Sequence, residues 1–556
     1  MFNLKNYEKT YKNFSWDQAK KEISFFGKKL NIAYNSIDRN AEKNGEKIAL
    51  YWEGEKESKS FTFNEMREQS NKFANVLKKY GIKKGDRVFI FLPRIPELYI
   101  SFFGILKTGA IAGTLFSAFG EKGIEERLKK GEVKFLITNR ELKKRVDKVK
   151  KNLPDLKYII LVDGKEGKKI IDYKKEMKNA SEEFSIAKMN PDDPALMLFT
   201  SSTSNTPIAG IVIPHKAIIQ QHITAKWALD FNEDDIYWCT ADPGWVTGVV
   251  YSMIANWSNN ITSVVYEGRF DADRWYGIIE KYKVNVLYTA PTAIRMLKSS
   301  NAHKKYDLSS VRHICSVGEA LDPDSIKWSM KVFKTKIYEN YWQTETGAMI
   351  IGNFRCLKIK PGSMGKPFPG VVAKVVDEKG KILPSGKEGN IAIKPNIPAI
   401  MIDVWKNRRM YNSYFRHGWY YTGDRAYMDR DGYFFFVGRA DDIIKTSGER
   451  VGPFEVESAL MEHPAINEAA VIGKPDPIRG EIIKAFIVLQ KGYKPSKKLE
   501  EDIQKFVKKR LAGHAYPREF QFVDSLPKTH SGKIMRRLLK AKELGLPAGD
   551  LSSLEK

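Results

Sequence analysis

The stretch RVFIFLPRIPELYISFFGILKTGAIAGTLF, residues 87–116, sets the pattern of the chain. Residues 87–92 are a short run of β-branched and aromatic residues of the kind that favours a strand. Pro96 then opens an apolar segment that ends near Lys107 and predicts a helix with proline in its first turn. Lys107 and three glycines interrupt the apolar residues, whereas a membrane span needs about 20 without a break. The stretch therefore predicts a buried helix followed by a strand.

The alternation of strand and helix continues through the first three quarters of the chain. Residues 195–199 and 284–289 are further short apolar runs that predict strands. This order predicts an α/β fold whose sheets are mainly parallel.

The pattern changes after Asp441. Strands are predicted at residues 469–472, 482–489 and 520–523, and a helix at residues 498–511. This is typical of a compact α+β unit. We therefore expect a large N-terminal domain, residues 1–440, and a small C-terminal domain, residues 441–556.

Composition narrows the class of protein. A chain of 556 residues is longer than a single domain, so more than one hydrophobic core is expected. Its hydrophobic content of 42% is ordinary for a globular protein. The net charge of +26 comes mostly from dispersed lysines, without a basic tail or a nucleic-acid motif, so we expect no nucleic-acid partner. The three cysteines are far apart, and no secretory signal or membrane span is evident. We expect a cytoplasmic protein.

Common nucleotide and metal motifs are missing: there is no GxxxxGK[ST], no GxGxxG after a strand, and no HExxH. Five polar segments stand out instead. They are TSSTSNTPIAG (200–210), YWQTETG (341–347), YTGD (421–424), GRADDIIKTSGER (438–450) and LPKTHSGKIMRR (526–537). The first follows a buried strand, and its hydroxyl and backbone N–H groups could bind phosphate or form a plain turn. Each segment alone could be structural, but chance explains the ordered set poorly.

Three more segments, WCTADPGWVTG (238–248), YTAPTAIR (288–295) and SVGE (316–319), complete a resemblance to the acyl-adenylate-forming synthetases, from about residue 35 to about residue 540. Within them the chain is similar to the short bacterial form of the AMP-forming acetyl-CoA synthetases. The resemblance implies conversion of ATP, acetate and CoA to acetyl-CoA, AMP and pyrophosphate through an acetyl-adenylate. It also implies Mg²⁺ with the ATP, an N-terminal AMP-binding domain and a mobile C-terminal domain.

The resemblance assigns Lys533 as the adenylation lysine and Glu345 as the Mg²⁺ carboxylate. Activation brings a carboxylate onto an anionic α-phosphate, and one charge pair at 4 Å is worth about 4 kcal/mol at a dielectric near 20. A mobile lysine placed between the two anions would reduce their repulsion. The residues assigned to ATP and AMP are Thr200, Gly318, Glu319, Ala320, Glu339, Asn340, Tyr341, Trp342, Gln343, Thr344, Asp424, Arg439 and Arg450.

The same resemblance gives the acyl pocket and the second half-reaction. The pocket residues are Val246, Thr247, Val317 and Trp342. The implied CoA contacts are Thr247, Ser447, Gly448 and Lys508, and the implied hinge is Asp441. A cation site would use the main chain at Met461, His463 and Ile466. Relatives are switched off by acetylation of their adenylation lysine, so a lysine acetyltransferase and deacetylase are expected partners at Lys533.

The phosphate loop departs from the family pattern T-S-G-[ST]-T-G-x-P-K-G. Ser202 and Asn205 replace glycines, and Ile208 with Ala209 stands where one lysine is expected. Glycine reaches positive φ freely and lysine would add a cation, so ATP use is in question. Two alternatives to the acetate enzyme remain: a synthetase for propionate or another short acid, and a relative that binds nucleotide or CoA with impaired adenylation.

Overall fold

The computed structural model describes residues 2–164, 169–200, 208–319, 321–440, 442–446, 449–511, 515–529, 534–546 and 554, with only the backbone of 449 and 450. Its strands, in chain order, are β1 (Ile48–Glu53), β2 (Ser58–Thr62), β3 (Arg87–Phe91), β4 (Ile111–Thr114), β5 (Phe135–Thr138), β6 (Tyr158–Leu161), β7 (Ile170–Asp172), β8 (Pro194–Phe199), β9 (Gly210–Pro214), β10 (Ile236–Cys239), β11 (Thr262–Tyr266), β12 (Val286–Thr289), β13 (His313–Val317), β14 (Ile337–Tyr341), β15 (Ile351–Gly352), β16 (Ser363–Pro367), β17 (Ala373–Val376), β18 (Gly389–Ile393), β19 (Asp403–Val404), β20 (Phe415–Arg416), β21 (Trp419–Met428), β22 (Phe434–Arg439), β23 (Ile444–Thr446), β24 (Glu449–Val451), β25 (Ile466–Asp476), β26 (Gly480–Leu489) and β27 (Glu519–Phe522).

The α-helices, in the same order, are α1 (Tyr7–Asn13), α2 (Trp16–Lys20), α3 (Arg39–Asn44), α4 (Phe63–Lys79), α5 (Pro96–Lys107), α6 (Glu121–Lys130), α7 (Arg140–Val149), α8 (Tyr173–Asn179), α9 (Ala217–Ala228), α10 (Val246–Val249), α11 (Ala255–Ser258), α12 (Ala272–Tyr282), α13 (Pro291–Ser300), α14 (Pro323–Val332), α15 (Arg408–Ser413), α16 (Pro453–Met461), α17 (Lys497–Arg510) and α18 (Arg536–Glu543). Two π-helical turns, Tyr34–Asp38 and Val250–Ile254, and two 3₁₀ turns, Lys150–Asn152 and Ala302–Lys305, complete the set for the described residues.

Two large sheets form the body of the protein. In the described residues the first has 14 strands in the order β17-β18-β21-β22-β16-β15-β14-β13-β12-β10-β11-β1-β2, with β20 beside β21. The second has eight, in the order β19-β9-β8-β4-β3-β5-β6-β7. The run from β14 to β1 and the run from β8 to β7 are parallel, and antiparallel strands extend both. The predicted α/β fold is confirmed, with a mixed first sheet.

The decisive stretch folds as predicted. α5 begins with Pro96 at its first position, and residues 98–107 are all buried. It connects β3 to β4, which pair in parallel. No helix among the described residues combines the length and the apolar character that crossing a membrane would need.

The small domain contains a third sheet, β24-β23-β26-β25, with β27 beside β26. The strands predicted at residues 469–472 and 482–489 fall within β25 and β26, and the one predicted at residues 520–523 runs one residue past the end of β27. The predicted helix matches α17 within one residue at each end. Apolar residues of α16 and α17, including Val456, Leu460, Ile503 and Val507, share a buried cluster with those of the sheet. The boundary predicted at Asp441 falls on a residue outside the described set and stays a prediction.

Lys107 is the one charged residue in the buried face of α5 within the described residues, and its side chain is fully buried. Its ammonium lies 2.8 Å from Asp38 Oδ1 and 2.7 Å from Asn71 Oδ1, and it also donates to the carbonyl of Arg67 at 3.3 Å. A buried charge of this kind is tolerated because its partners replace water. The contact ties α5 to α4 and to the π-helical turn at Tyr34–Asp38.

Replacement of Lys107 by Met is expected to lower the free energy of unfolding by about 3–5 kcal/mol, because Asp38 is left as an unpaired buried charge. Urea unfolding followed by circular dichroism measures the change. The matched control is Lys84→Met, which removes a half-exposed lysine from Asp193 and should cost no more than about 1 kcal/mol. Equal losses in the two variants would contradict the structural role of the buried pair.

Candidate active site

A cavity of about 1090 Å³ opens where the large and small domains meet. Its floor lies at the carboxyl ends of β13 and β14, which pair in parallel with Val317 opposite Asn340. Ligand sites in open α/β sheets occur at this kind of edge. The predicted site residues that line it are Thr200, Val246, Thr247, Val317, Gly318, Glu319, Glu339, Asn340, Tyr341, Trp342, Gln343, Thr344, Glu345, Asp424, Arg439 and Met461.

One end of the cavity is built around Asp424. The register of β21 and β22 places Asp424 opposite Arg439, and Arg439 Nη1 lies 3.2 Å from Asp424 Oδ1. The Tyr341 hydroxyl donates to Asp424 Oδ2 at 2.5 Å, and Gln343 Nε2 donates to the same oxygen at 2.9 Å. Asp424 Oδ1 is buried, and beside the ion pair with Arg439 it accepts no hydrogen bond among the described residues. A ligand hydroxyl could therefore donate to it.

Glu319 occupies a second part of the wall. Its carboxylate accepts hydrogen bonds from Thr292 Oγ1 at 2.7 Å and from Arg295 Nη2 at 2.8 Å. Thr292 and Arg295 are three residues apart on α13, so they present one face of the helix to Glu319, and Arg295 also lines the cavity. The matching segment YTAPTAIR contains Arg295, but sequence reasoning gave this arginine no role. Helical spacing from Thr292 was the signal that could have found it.

Glu339 is a buried carboxyl at the back of the cavity, in contact with the N–H of Leu321 at 3.4 Å. Burial, aided by the neighbouring Asp322, raises its pKa to about 8. Its side chain therefore keeps its proton near neutral pH. In that state it can donate one hydrogen bond as well as accept others.

Glu345 follows in the segment TETG. Burial raises the pKa of its carboxyl, and Tyr414 donates a hydrogen bond to Oε1 at 3.2 Å. The segment is held tightly, because Gly347 has φ +65° and a Cβ there would lie 2.1 Å from the Ala399 carbonyl oxygen. A desolvated carboxylate with one neutral donor is a site that a bound cation would stabilise. The predicted Mg²⁺ ligand thus fits its surroundings.

A further part of the cavity lining is mostly apolar. Val246 and Thr247 begin α10, Val317 ends β13, and Trp342 follows β14. Trp342 is 9% exposed, and Val317 belongs to the same apolar cluster, against which Val246 packs. The four residues predicted for an acyl pocket therefore line one cavity.

The small domain supplies basic groups to the same cavity. Lys528, Thr529 and Ile534 line it, and Lys528 and Ile534 pair as an isolated antiparallel bridge. Arg536 also lines it and pairs with the buried Glu457. The described residues on either side of 530–533, Thr529 and Ile534, therefore both line the cavity. Arg536 was not predicted, although it lies within the polar segment 526–537.

Some predicted residues lie elsewhere. Lys508 lies on α17 with its ammonium 4.1 Å from the centre of the Tyr516 ring, and it does not line the cavity. His463 lies in the turn between α16 and β25, and its carbonyl accepts the N–H of Ile466, the first residue of β25, at 3.0 Å. Predicted residues outside the described set are Ser202, Asn205, Ala320, Asp441, Ser447, Gly448, Lys533 and the side chain of Arg450.

Two family comparisons match this architecture. The family described as AMP-binding enzyme matches residues 37–401, and AMP-binding enzyme C-terminal domain matches residues 455–533. The chain belongs to the AMP-binding enzyme family. The recognition made from the sequence is confirmed.

Individual relatives are similar over nearly the full length. An acetyl-coenzyme A synthetase of Bacillus subtilis (strain 168) is 54% identical, over 100% of this chain and 98% of the relative. An acetyl-coenzyme A synthetase of Methanothrix thermoacetophila is 40% identical, over 95% of this chain and 85% of the relative.

Solved structures agree with the fold. An acyl-CoA synthetase of Brucella canis has a TM-score of 0.77 at 33% identity, covering 98% of this chain and 99% of that one. An anthranilate CoA ligase in complex with anthranoyl-AMP has a TM-score of 0.86 at 28% identity, covering 93% and 98%.

The raised pKa of Glu339 predicts a pH dependence of stability. The folded protein keeps a proton that the unfolded chain loses above its ordinary pKa of 4.5, so this contribution is full below pH 4.5 and is lost as pH rises through about 8. Glu339→Gln removes it. Between pH 6 and 8 the unfolding free energy of the wild type should fall relative to that of the variant by about 1 kcal/mol per pH unit.

Urea unfolding of the ligand-free protein at several pH values tests this. Glu141→Gln, which changes an exposed carboxylate on α7, is the control and should run parallel to the wild type. Parallel curves for wild type and Glu339→Gln would contradict a proton held at Glu339.

Proposed function

We propose that this protein is an AMP-forming acetate:CoA ligase, which converts ATP, acetate and CoA to acetyl-CoA, AMP and pyrophosphate through an acetyl-adenylate. The observation that carries the proposal is a single cavity with the Asp424–Arg439 pair in one wall and the Val246, Val317 and Trp342 pocket in another. A nucleotide and a small acid bound there would meet in one space. The high identity to acetyl-coenzyme A synthetases supports the choice of acid.

The nucleotide end suits a ribose and a purine. Asp424 Oδ1, buried without a hydrogen bond from the described residues, would accept the ribose hydroxyls, with Arg439 beside the same sugar. Glu319 and Glu339 are among the residues proposed to surround the adenine. A protonated Glu339 offers both a donor and an acceptor to the base. Thr344 would donate to the α-phosphate, and Arg450 would contact phosphate through its forked donors.

The acyl end suits a short acid. An indole across the pocket leaves room for a methyl group, and one extra methylene costs about 1–3 kcal/mol of discrimination. Acetate is the proposed substrate, and propionate is expected to react more slowly. A preference for propionate or another short acid is the first alternative.

Adenylation requires the carboxylate and the α-phosphate, both anions, to approach each other. We propose that Lys533 reduces the repulsion between them. The described residues on either side of its segment, Thr529 and Ile534, line the cavity. Lys533 would place its ammonium between the carboxylate and the α-phosphate as negative charge builds up.

The Mg²⁺ that accompanies ATP would be held by Glu345, and when bound it neutralises the departing pyrophosphate. The main chain at Met461, His463 and Ile466 is the proposed second cation site. Of these three residues, Met461 lines the cavity.

Thioester formation is proposed to follow a rotation of the small domain about Asp441. The strands β23 and β24 pair Thr446 with Glu449, on either side of Ser447 and Gly448, the proposed pantetheine contacts. Thr247 would flank the thiol, and Lys508 would meet a CoA phosphate.

The cytoplasm is the proposed compartment, and the three cysteines, all free, fit a reducing compartment. Acetylation of Lys533, reversed by a deacetylase, is the proposed control.

The direct test is acetate-dependent exchange of labelled pyrophosphate into ATP, measured with a panel of carboxylates. We expect exchange with acetate to exceed exchange with propionate, and butyrate to be poor. The second alternative, a nucleotide or CoA binder with impaired adenylation because of the altered phosphate loop, predicts no exchange at millimolar ATP in folded protein. That result would overturn the proposal.

Lys533→Ala separates the two half-reactions. Adenylation should fall by at least a hundredfold, because the charge between the reactants is gone, whereas thioester formation from supplied acetyl-AMP should stay within about threefold. Lys540→Ala, on α18 and paired with Glu481, is the matched control and should leave both unchanged. Equal loss of both half-reactions in Lys533→Ala would refute the assigned role.

A further inference from the structure

The wall behind Trp342 is a second aromatic ring. Trp342 faces the cavity, and the Tyr251 ring packs against it edge to face, with ring centroids 5.0 Å apart and planes at 80°. Tyr251 has no exposed surface and belongs to the π-helical turn Val250–Ile254. π-helical turns of this kind are often found at functional sites. Tyr251 therefore occupies the space into which the indole would have to retreat.

The Tyr251 hydroxyl is fixed by two hydrogen bonds. It accepts the backbone N–H of Met349 at 2.8 Å and lies 2.9 Å from Thr224 Oγ1. The Thr224 hydroxyl donates to the Gln220 carbonyl at 2.7 Å, so the proton between the two hydroxyls belongs to Tyr251. The chain of donors runs from Met349 through Tyr251 and Thr224 to Gln220, and bonds in such a chain strengthen one another.

The Gln220 side chain closes the network. Its Nε2 donates to the Met349 carbonyl at 3.2 Å, and its Oε1 accepts the N–H of Ala399 at 3.2 Å. Both backbone polar groups of Met349 are thus bound, and Tyr251, Thr224 and Gln220 are fully buried. A satisfied buried network of this kind holds its members in one arrangement. The ring of Tyr251 cannot move without breaking hydrogen bonds that water cannot replace.

We propose that Tyr251 is a positioning residue that sets the acyl-chain length by holding the Trp342 indole in the pocket. The proposal rests on the proposed function and adds to it the reason why the indole stays where it is. Trp342 excludes longer acids only while the space behind it is filled. A smaller side chain at position 251 would leave a cavity there, and the indole could move back to admit one or two more methylene groups.

The test compares wild type and Tyr251→Leu by kcat/KM for acetate, propionate and butyrate. We expect the butyrate-to-acetate ratio to rise at least tenfold, the range by which one methylene is discriminated. The KM for acetate should rise while the KM for ATP stays within twofold, because the nucleotide end is untouched. Trp342→Gly, which opens the pocket directly, is the positive control.

Two further variants separate positioning from general loosening of the core. Tyr237→Leu removes an equally buried ring that packs on Phe231 at 5.1 Å, so it should lose stability without changing the ratio. Tyr251→Phe keeps the ring and loses the hydroxyl, so it should keep the ratio and unfold at lower urea. If Tyr251→Leu does not fold, Tyr251→Met replaces it, and the butyrate-to-acetate ratio of kcat/KM should then rise at least threefold.

The inference is overturned if the ratio in the folded Tyr251 variant is no higher than in wild type or in Tyr237→Leu. That failure is distinct from failure of the proposed function, which would appear as a wild type without acetate-dependent pyrophosphate exchange. A crystal structure of the Tyr251 variant with the indole unmoved would count against the inference as well.

Discussion

Parallel pairing of β13 with β14 is the interaction on which the site depends. Because Val317 stands opposite Asn340, the residues that follow the two strands, Glu319 on one side and Trp342 on the other, emerge at the same edge. Parallel strands end together, so their loops form one continuous wall. The cavity between the domains, with its polar and apolar ends, is built outward from that edge.

Charge in the wall of this cavity is arranged in ion pairs on both sides. The pairs that line it are Asp424–Arg439 and Glu319–Arg295 in the large domain, and Lys528–Glu468 and Arg536–Glu457 in the small domain. Low solvent access makes each of these interactions stronger than it would be in water. An anionic nucleotide bound there would therefore meet positive groups whose carboxylate partners lie beside them.

The apolar part of the cavity depends on packing. In the proposed function Trp342 limits the size of the acid by its shape, and that limit is only as exact as the packing that supports the indole. Tyr251 provides that support, and the hydrogen bonds from Met349 through Thr224 to Gln220 fix the ring from two parts of the fold, helix α9 and the segment before β15. Specificity for a small acid would then depend on buried residues that never touch it.

The sequence by itself determined the secondary structure of residues 87–116 and the change of pattern near residue 441, because local propensity carries both. The helix at Pro96–Lys107 was predicted in this way, whereas the cavity-lining residues around Trp342 and Asp424 were predicted from the resemblance of their motifs to those of a known family. Arg295, Arg536 and Tyr251 were not, although each lies in or beside a recognised segment. Only the tertiary structure decided their roles, because contacts such as Tyr251 with Met349 join residues 98 positions apart, and no local pattern in the chain records which distant groups folding will bring together.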